Sequence, residues 1–234
     1  DNATIALPIL QRHGMLATFF VATSFLDGGR MWNDTVIESV RAYPGKVLDL
    51  SENGLGSYSL GTPEQQRDAI GALLQHIKYL EPAKRREAVE FVQRSVKGSL
   101  PDDLMMTSSQ VVQLRRAGMQ IGAHTCSHPI LASISDDDAM HEIRNSKETL
   151  QSLLQEPVTL FAYPNGKPGK DYLAKHAMMV KQAEFTAAVS TSAGVSSANT
   201  DRFQLARFSP WDAGKLRYGV RMMLNLRNVN PMVA

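Results

Sequence analysis

The chain has 234 residues, 43% hydrophobic and 21% charged, which is the balance of an ordinary globular protein with room for a sizeable core. Its 25 basic and 23 acidic residues are interspersed and leave a formal charge of +2, so no basic stripe marks a nucleic-acid interface. No apolar run is long enough to span a membrane, and a single cysteine, Cys126, excludes an internal disulfide.

Residues Ala3 to His13 carry Ile5, Ile9 and Leu10 on one side and predict a helix stopped at Gly14. Leu16 to Ala22, apolar and aromatic, predicts a buried strand. Asp27-Gly-Gly-Arg30 is a turn, and Trp32 to Ala42 a short helix entered through Asn33 or Asp34. Lys46 to Leu60 reads as a hairpin. Thr62-Pro-Glu-Gln65 combines a cap, a proline at the first helical position and a capping-box glutamine, opening a helix to about Leu80. Pro82 opens another, to about Lys97. These two helices, around 62–98, read as an insertion within a single domain covering 1–234.

Thr107 and Gln110 form a second capping box before a helix through Ala117. Met119 to Ala123 is then a short apolar strand, and His124 and His128 follow. Pro129 forbids a continuing helix, so the two imidazoles belong to a strand end and the turn after it. Parallel α/β folds gather their chemistry at such strand ends. Two neutral imidazoles there can share one divalent ion, although the spacing alone also arises by chance. Cys126, between them, is expected to be a small packed residue, since three ligands in one turn would crowd. Ser135 caps a long helix whose acids Asp136, Asp137 and Asp138 suit the positive end of the dipole.

Val158 to Tyr163 predicts another strand, followed by the turn Pro164-Asn-Gly-Lys-Pro-Gly169. A helix over Asp171 to Gln182, strands over Phe185 to Ser190 and Gln204 to Phe208, and a last helix over Asp212 to Arg227 complete the chain. Strands alternating with helices imply parallel strands joined by right-handed crossovers, hence a barrel or a doubly wound sheet. No glycine-rich phosphate loop follows the first strand.

Several segments together resemble the polysaccharide deacetylases of carbohydrate esterase family four, the chitooligosaccharide deacetylase homology group. Ala6-Leu-Pro-Ile-Leu-Gln-Arg-His-Gly14 with Ala17-Thr-Phe-Phe-Val21 is similar to that family's first helix and second strand. Gly122-Ala-His-Thr-Cys-Ser-His-Pro129 is similar to its histidine motif. Phe161-Ala-Tyr-Pro-Asn-Gly166 resembles the third motif, and Ala188-Val-Ser-Thr191 with Asp201-Arg-Phe-Gln-Leu-Ala-Arg207 the segment after it. The resemblance implies an α/β fold: a distorted (β/α) barrel of about seven parallel strands. It also implies a metal-dependent hydrolase that cleaves a linear amide C–N bond to remove acetyl groups, chiefly N-acetyl, from a bacterial polysaccharide or glycan.

On the same resemblance, His124 and His128 are metal ligands and the backbone N–H of Asn165 is an oxyanion donor. The ion is divalent, zinc first, with cobalt, nickel or manganese chemically admissible. Tyr163 and Pro164 are expected to line the substrate groove. So is Trp211, a better candidate than Trp32 for stacking on a sugar ring. An acetylated oligo- or polysaccharide is the implied partner; the compartment, bacterial cytoplasm or periplasm, and the oligomeric state are left open.

The departures are as specific as the matches. The aspartate-aspartate motif that supplies the family's base and a carboxylate ligand has no counterpart. Asp1-Asn2 is similar to the pair just downstream of it, so an upstream segment carrying the first barrel strand is expected. The third-motif arginine falls at Ala162, for which Arg207 is a candidate stand-in. The late Leu-x-x-His motif that supplies a general acid has no match. His141 and His176 are both expected within helices, His176 on the surface of its own. A catalytically silent glycan-binding relative is the alternative reading. A metal-dependent hydrolase acting on a small amide or a purine-type ring is a weaker third.

Overall fold

The structure is a computed structural model and describes residues 1–96, 98–208 and 212–234. It divides into two compact units, one of residues 1–26 with 106–234 and the other of residues 27–105.

The first unit holds a four-stranded parallel sheet. Its strands are β1 (Thr18–Val21), β4 (Gln120–Ala123), β5 (Leu160–Ala162) and β6 (Ala187–Val189), adjacent in that order. Register runs from Thr18 opposite Gln120 to Val21 opposite Ala123, and from Leu160 opposite Ala187 to Ala162 opposite Val189. Gly122 lies opposite Phe20, and a Cβ there would come within 2.5 Å of the Phe20 ring and 3.1 Å of the Leu160 carbonyl oxygen. A glycine is needed because a large ring crosses the sheet at that point.

Helices of this unit are α1 (Leu7–Arg12), α5 (Ser108–Arg116), α6 (Asp136–Leu154), α7 (Ala174–Gln182) and α8 (Lys215–Leu226). The α5 capping box forms as the sequence predicts, with Thr107 and Gln110 exchanging side-chain to backbone bonds. Ser135 accepts the Asp138 N–H at the head of α6, and Asp136 pairs with Lys175, so these two acids act in capping and pairing. Ala139, Ile143, Ser146 and Leu150 recur at helical spacing as the buried face of α6. Ala139, Ile143 and Leu150 join Val111, Leu114, Ile121, Phe161, Val180 and Phe185 in one core.

The second unit contains α2 (Trp32–Ala42), the antiparallel hairpin β2 (Val47–Asp49) and β3 (Ser57–Ser59), then α3 (Pro63–Lys78) and α4 (Pro82–Arg94). The insertion expected around 62–98 widens to this unit, because α2 and the hairpin share a core with α3 and α4. Val36, Val40, Leu48, Leu50, Leu73, Ile77 and Val92 meet there. Arg85 lies over the Trp32 ring, 5.8 Å from its centroid, so Trp32 is a packed residue of this unit.

Four expectations change. The first helix opens with a π-helical turn over Asn2–Ala6, and Pro8, which has no N–H to give Thr4, sits where the α-helical ladder would otherwise begin. Gln204 to Phe208 contributes a single parallel bridge, Leu205 with Val189, instead of a strand. The sheet of about seven strands is, among the described residues, one of four. His176 is fully buried and not on a helix surface: its Nδ1 accepts the Leu173 N–H at the head of α7, which turns the ring inward.

Candidate active site

β4 delivers His124 at its carboxyl end, where the His124 N–H continues the ladder to the Val21 carbonyl. The chain then turns sharply. Thr125 is fully buried with φ +64°, and His128 has φ +57°. A β-branched residue in the left-handed region carries strain of order 1–2 kcal/mol, tolerated only where the surroundings over-determine it. Here they do. The Thr125 hydroxyl donates to the His124 carbonyl and accepts the His128 N–H at 3.1 Å, while the Thr125 and Cys126 carbonyls accept the Thr23 and Ser24 N–H groups.

From α6, one Glu142 carboxylate oxygen accepts the Cys126 and Ser127 N–H groups at 2.7 and 2.8 Å, and the other accepts the Ser127 hydroxyl. Sequence reasoning missed Glu142. The signal was there: it flanks the buried stripe of α6, between Ala139 and Ile143, so its carboxyl is carried inward toward the histidine turn. Cys126 is half-buried, with its thiol against the Glu142 carbonyl, and burial raises its pKa. It packs as the sequence suggests.

The result is a convergent imidazole pair. His124 Nε2 and His128 Nε2 are 3.1 Å apart, with ring planes inclined at 70°. His124 Nδ1 lies 2.7 Å from the Ala162 carbonyl oxygen of β5. A carbonyl only accepts, so Nδ1 carries the proton and the lone pair of His124 resides on Nε2. Burial, then the neighbouring His128, push the His124 pKa down to about 3; the Ala162 carbonyl acts in the opposite direction, and Arg207 lowers it further. His124 is therefore a neutral imidazole across the physiological range, the form a metal ligand requires.

Two nitrogens bound tetrahedrally at ~2.0–2.1 Å to one ion would lie ~3.3 Å apart. The observed separation and tautomer fit that requirement, so the pair suits two positions of a divalent centre. The described residues include no group of three or more His, Cys, Asp or Glu side chains placed to hold a metal.

β5 delivers Asn165. It has φ +59°, and the Gly166 N–H closes a three-residue turn onto the Pro164 carbonyl at 2.6 Å. Among the described residues, the Asn165 N–H has no hydrogen-bond partner. An oxyanion donor needs to be uncommitted in this way. Tyr163 and Pro164, expected to line a groove, are both buried. The Tyr163 side chain is 1% exposed, donates its hydroxyl to the Phe203 carbonyl and stacks on Tyr172 at 3.8 Å, so it belongs to the core. Burial holds its phenol well above the usual range. The reason is sheet alternation and aromatic packing: Phe161 and Tyr163 share one face and meet edge to face.

Arg207 lies 5.8 Å from the centroid of the Phe20 ring, which itself crosses Gly122. Its guanidinium is half-buried, burial lowers its pKa, and its charge acts on His124. Among the described residues no carboxylate pairs with it. Trp211 lies outside the described residues.

A family model described as polysaccharide deacetylase matches residues 75–188. The Streptococcus pyogenes deacetylase PplD, solved in complex with acetate, superposes with a TM-score of 0.56 at 18% identity, over 95% of this chain and 65% of that one. IcaB from Ammonifex degensii gives 0.50 at 13% identity, covering 94% of this chain and 66% of that one. A de-N-acetylase from Aggregatibacter actinomycetemcomitans gives 0.50 at 12%, covering 96% and 70%. At these identities the likeness speaks for the fold. The chain spans about two thirds of the length of these structures. No curated protein matches it in sequence. The matched stretch, just under half of the chain, carries both histidines, Asn165 and the strands that present them, so it is in this stretch that the chain is similar to the polysaccharide deacetylase family.

Proposed function

We propose that the protein is a metal-dependent hydrolase that removes acetyl groups, chiefly from N-acetylated sugars of a bacterial polysaccharide or glycan. The observation that carries this reading is the imidazole pair: two Nε2 atoms 3.1 Å apart, with the proton of His124 fixed on the opposite nitrogen by Ala162. His124 and His128 would hold the ion, zinc by its ligand chemistry. Such an ion supplies Lewis acidity, polarising an acyl carbonyl and acidifying water.

The remaining work falls to the chain's own groups. The Asn165 N–H steadies the negative charge that develops on the acyl oxygen as the amide is attacked. Arg207, a cation without a carboxylate partner among the described residues, orients the carboxylate base that the family resemblance calls for. The four-stranded sheet forms part of a barrel of about seven strands in this reading, with the histidine turn and the Asn165 turn at its carboxyl edge.

The test is metal content and acetate release from an acetylated oligosaccharide, measured on the full-length protein and on His124→Ala and His128→Ala. The expected result is about one equivalent of metal in the wild type, and loss of both metal and acetate release in each variant. Undiminished acetate release from both variants sinks the mechanism. Oligosaccharide binding with no acetate release from metal-loaded wild type favours a silent glycan-binding relative.

A further inference from the structure

The turn that carries Asn165 is an unusual piece of backbone. Asn165 and Gly166 both have positive φ, +59° and +75°, and the turn closes through a bond two residues apart, Gly166 N–H to Pro164 O. Three-residue turns of this hand are rare and strained. An isolated segment of this kind would relax, so something outside the turn must hold it.

One residue supplies most of that hold. The Thr191 hydroxyl donates to the Asn165 carbonyl at 2.8 Å, and the Thr191 N–H donates to the Gly166 carbonyl at 2.9 Å. With the Pro164 carbonyl taken by Gly166, all three successive carbonyls of the turn are engaged, two of them by Thr191. The group left over is the Asn165 N–H. Thr191 also sets the space available: a Cβ on Gly166 would stand 3.1 Å from both the Thr191 methyl and the Thr191 N.

Thr191 is itself fixed from behind. It lies two residues past the end of β6, next to Ser190, which donates its N–H to the Leu205 carbonyl and accepts the Ser192 N–H on its hydroxyl. Three residues beyond Thr191, Gly194 is gripped by α8. Asn225 exchanges both of its amide bonds with the Gly194 backbone, and Asn228 donates to the Ala193 carbonyl. The support therefore runs from α8 through the 193–195 loop to Thr191 and on to the Asn165 turn.

We propose that Thr191 is a positioning residue for the oxyanion donor: its hydroxyl fixes the Asn165 peptide so that the Asn165 N–H meets the reacting acyl oxygen. This rests on the deacetylase reading of the same site. A donor aligned for the developing charge acts on the transition state more than on the bound substrate, so its misplacement lowers kcat and spares KM.

The experiment compares Thr191→Val, which keeps the shape and removes the hydroxyl, with Thr191→Ser, which keeps the hydroxyl and removes the methyl. Kinetics of acetate release and metal content are measured on the full-length enzyme. Amide hydrogen exchange at Gly166 is measured on the metal-free protein. In T191V, kcat is expected to fall about ten-fold with KM within about two-fold, metal content unchanged and Gly166 exchange faster. T191S restores all three to near wild type. Wild-type kcat in T191V overturns the proposal and leaves the deacetylase reading standing. Equal loss in T191S assigns the effect to methyl packing and also overturns it, as does loss of metal in step with activity. Wild-type enzyme that releases no acetate overturns the deacetylase reading, and the proposal with it.

Discussion

Glu142 shows how much of the histidine turn is held by a residue of another element. Its carboxylate takes two N–H groups and one hydroxyl from the turn between the histidines. Hydrogen bonds to a charged acceptor contribute more than neutral ones, and removing the acceptor leaves the Cys126 N–H without its bond in a half-buried turn. Glu142→Ala is expected to cost about 2 kcal/mol of stability in denaturant unfolding. It should also weaken metal uptake by roughly ten- to a hundred-fold, read by competition with a chelator, because partners behind the ligands set ligand orientation. Unchanged metal affinity in a folded E142A would mean that Thr125 alone holds the turn. Glu142 was hard to find in the sequence for a physical reason. Two of its three partners are backbone N–H groups, which have no residue identity, so its place beside the buried stripe of α6 is the one local signal for it.

Elements were legible where local chemistry decides them and illegible where packing does. Both threonine-glutamine capping boxes, at Thr62 and Thr107, form as their four-residue spacing predicts. The strand that presents His124 and the turn enforced by Pro129 lie where the apolar run and the proline place them. Gln204 to Phe208, by contrast, has strand composition but secures only one bridge to Val189, since strand formation depends on a neighbour the local sequence does not name. α7 is the clearest failure. Its amphipathic pattern leaves His176 looking exposed, yet the ring is buried because Nδ1 serves as the helix's N-terminal acceptor.

That arrangement has a pH consequence. Burial, then the Lys175 charge, lower the His176 pKa below its ordinary value near 6.5, with Asp136 acting the other way. The unfolded chain consequently binds the proton more readily than the folded one, and stability rises with pH through this window. The contribution is fully present above about pH 6.5 and is lost as pH falls toward the depressed folded value. Thermal unfolding measured from pH 7.5 down to 5 should show a declining Tm. His176→Gln, which keeps an acceptor at the capping position without a titrating ring, should flatten that decline. A decline of equal slope in H176Q would assign it to other groups.

At the scale of the molecule, the telling feature is that β1 pairs with β4 across the whole of the 27–105 unit. That unit has a core of its own, with Val36, Val40, Leu73, Ile77 and Val92 fully buried within it. Expressed alone, residues 27–105 are expected to be helical by circular dichroism and to melt cooperatively; a featureless spectrum would show that this core is insufficient by itself. Neither this division nor the order β1-β4-β5-β6 could be read from composition, which is uniform along the chain.

The pairing of β1 with β4 also bears on how the protein is made. Ribosomes add about 5–20 residues per second, so the roughly one hundred residues between Val21 and Gln120 take on the order of 5–20 seconds to appear. For that interval Ala17-Thr-Phe-Phe-Val-Ala22 has emerged and its partner has not. A short apolar, β-prone segment with no charge is the kind that seeks any free strand edge, including that of another nascent chain. A middle unit that folds early shortens the effective loop which β1 must then close. The insertion that separates the two strands in sequence thus also brings them within reach during synthesis.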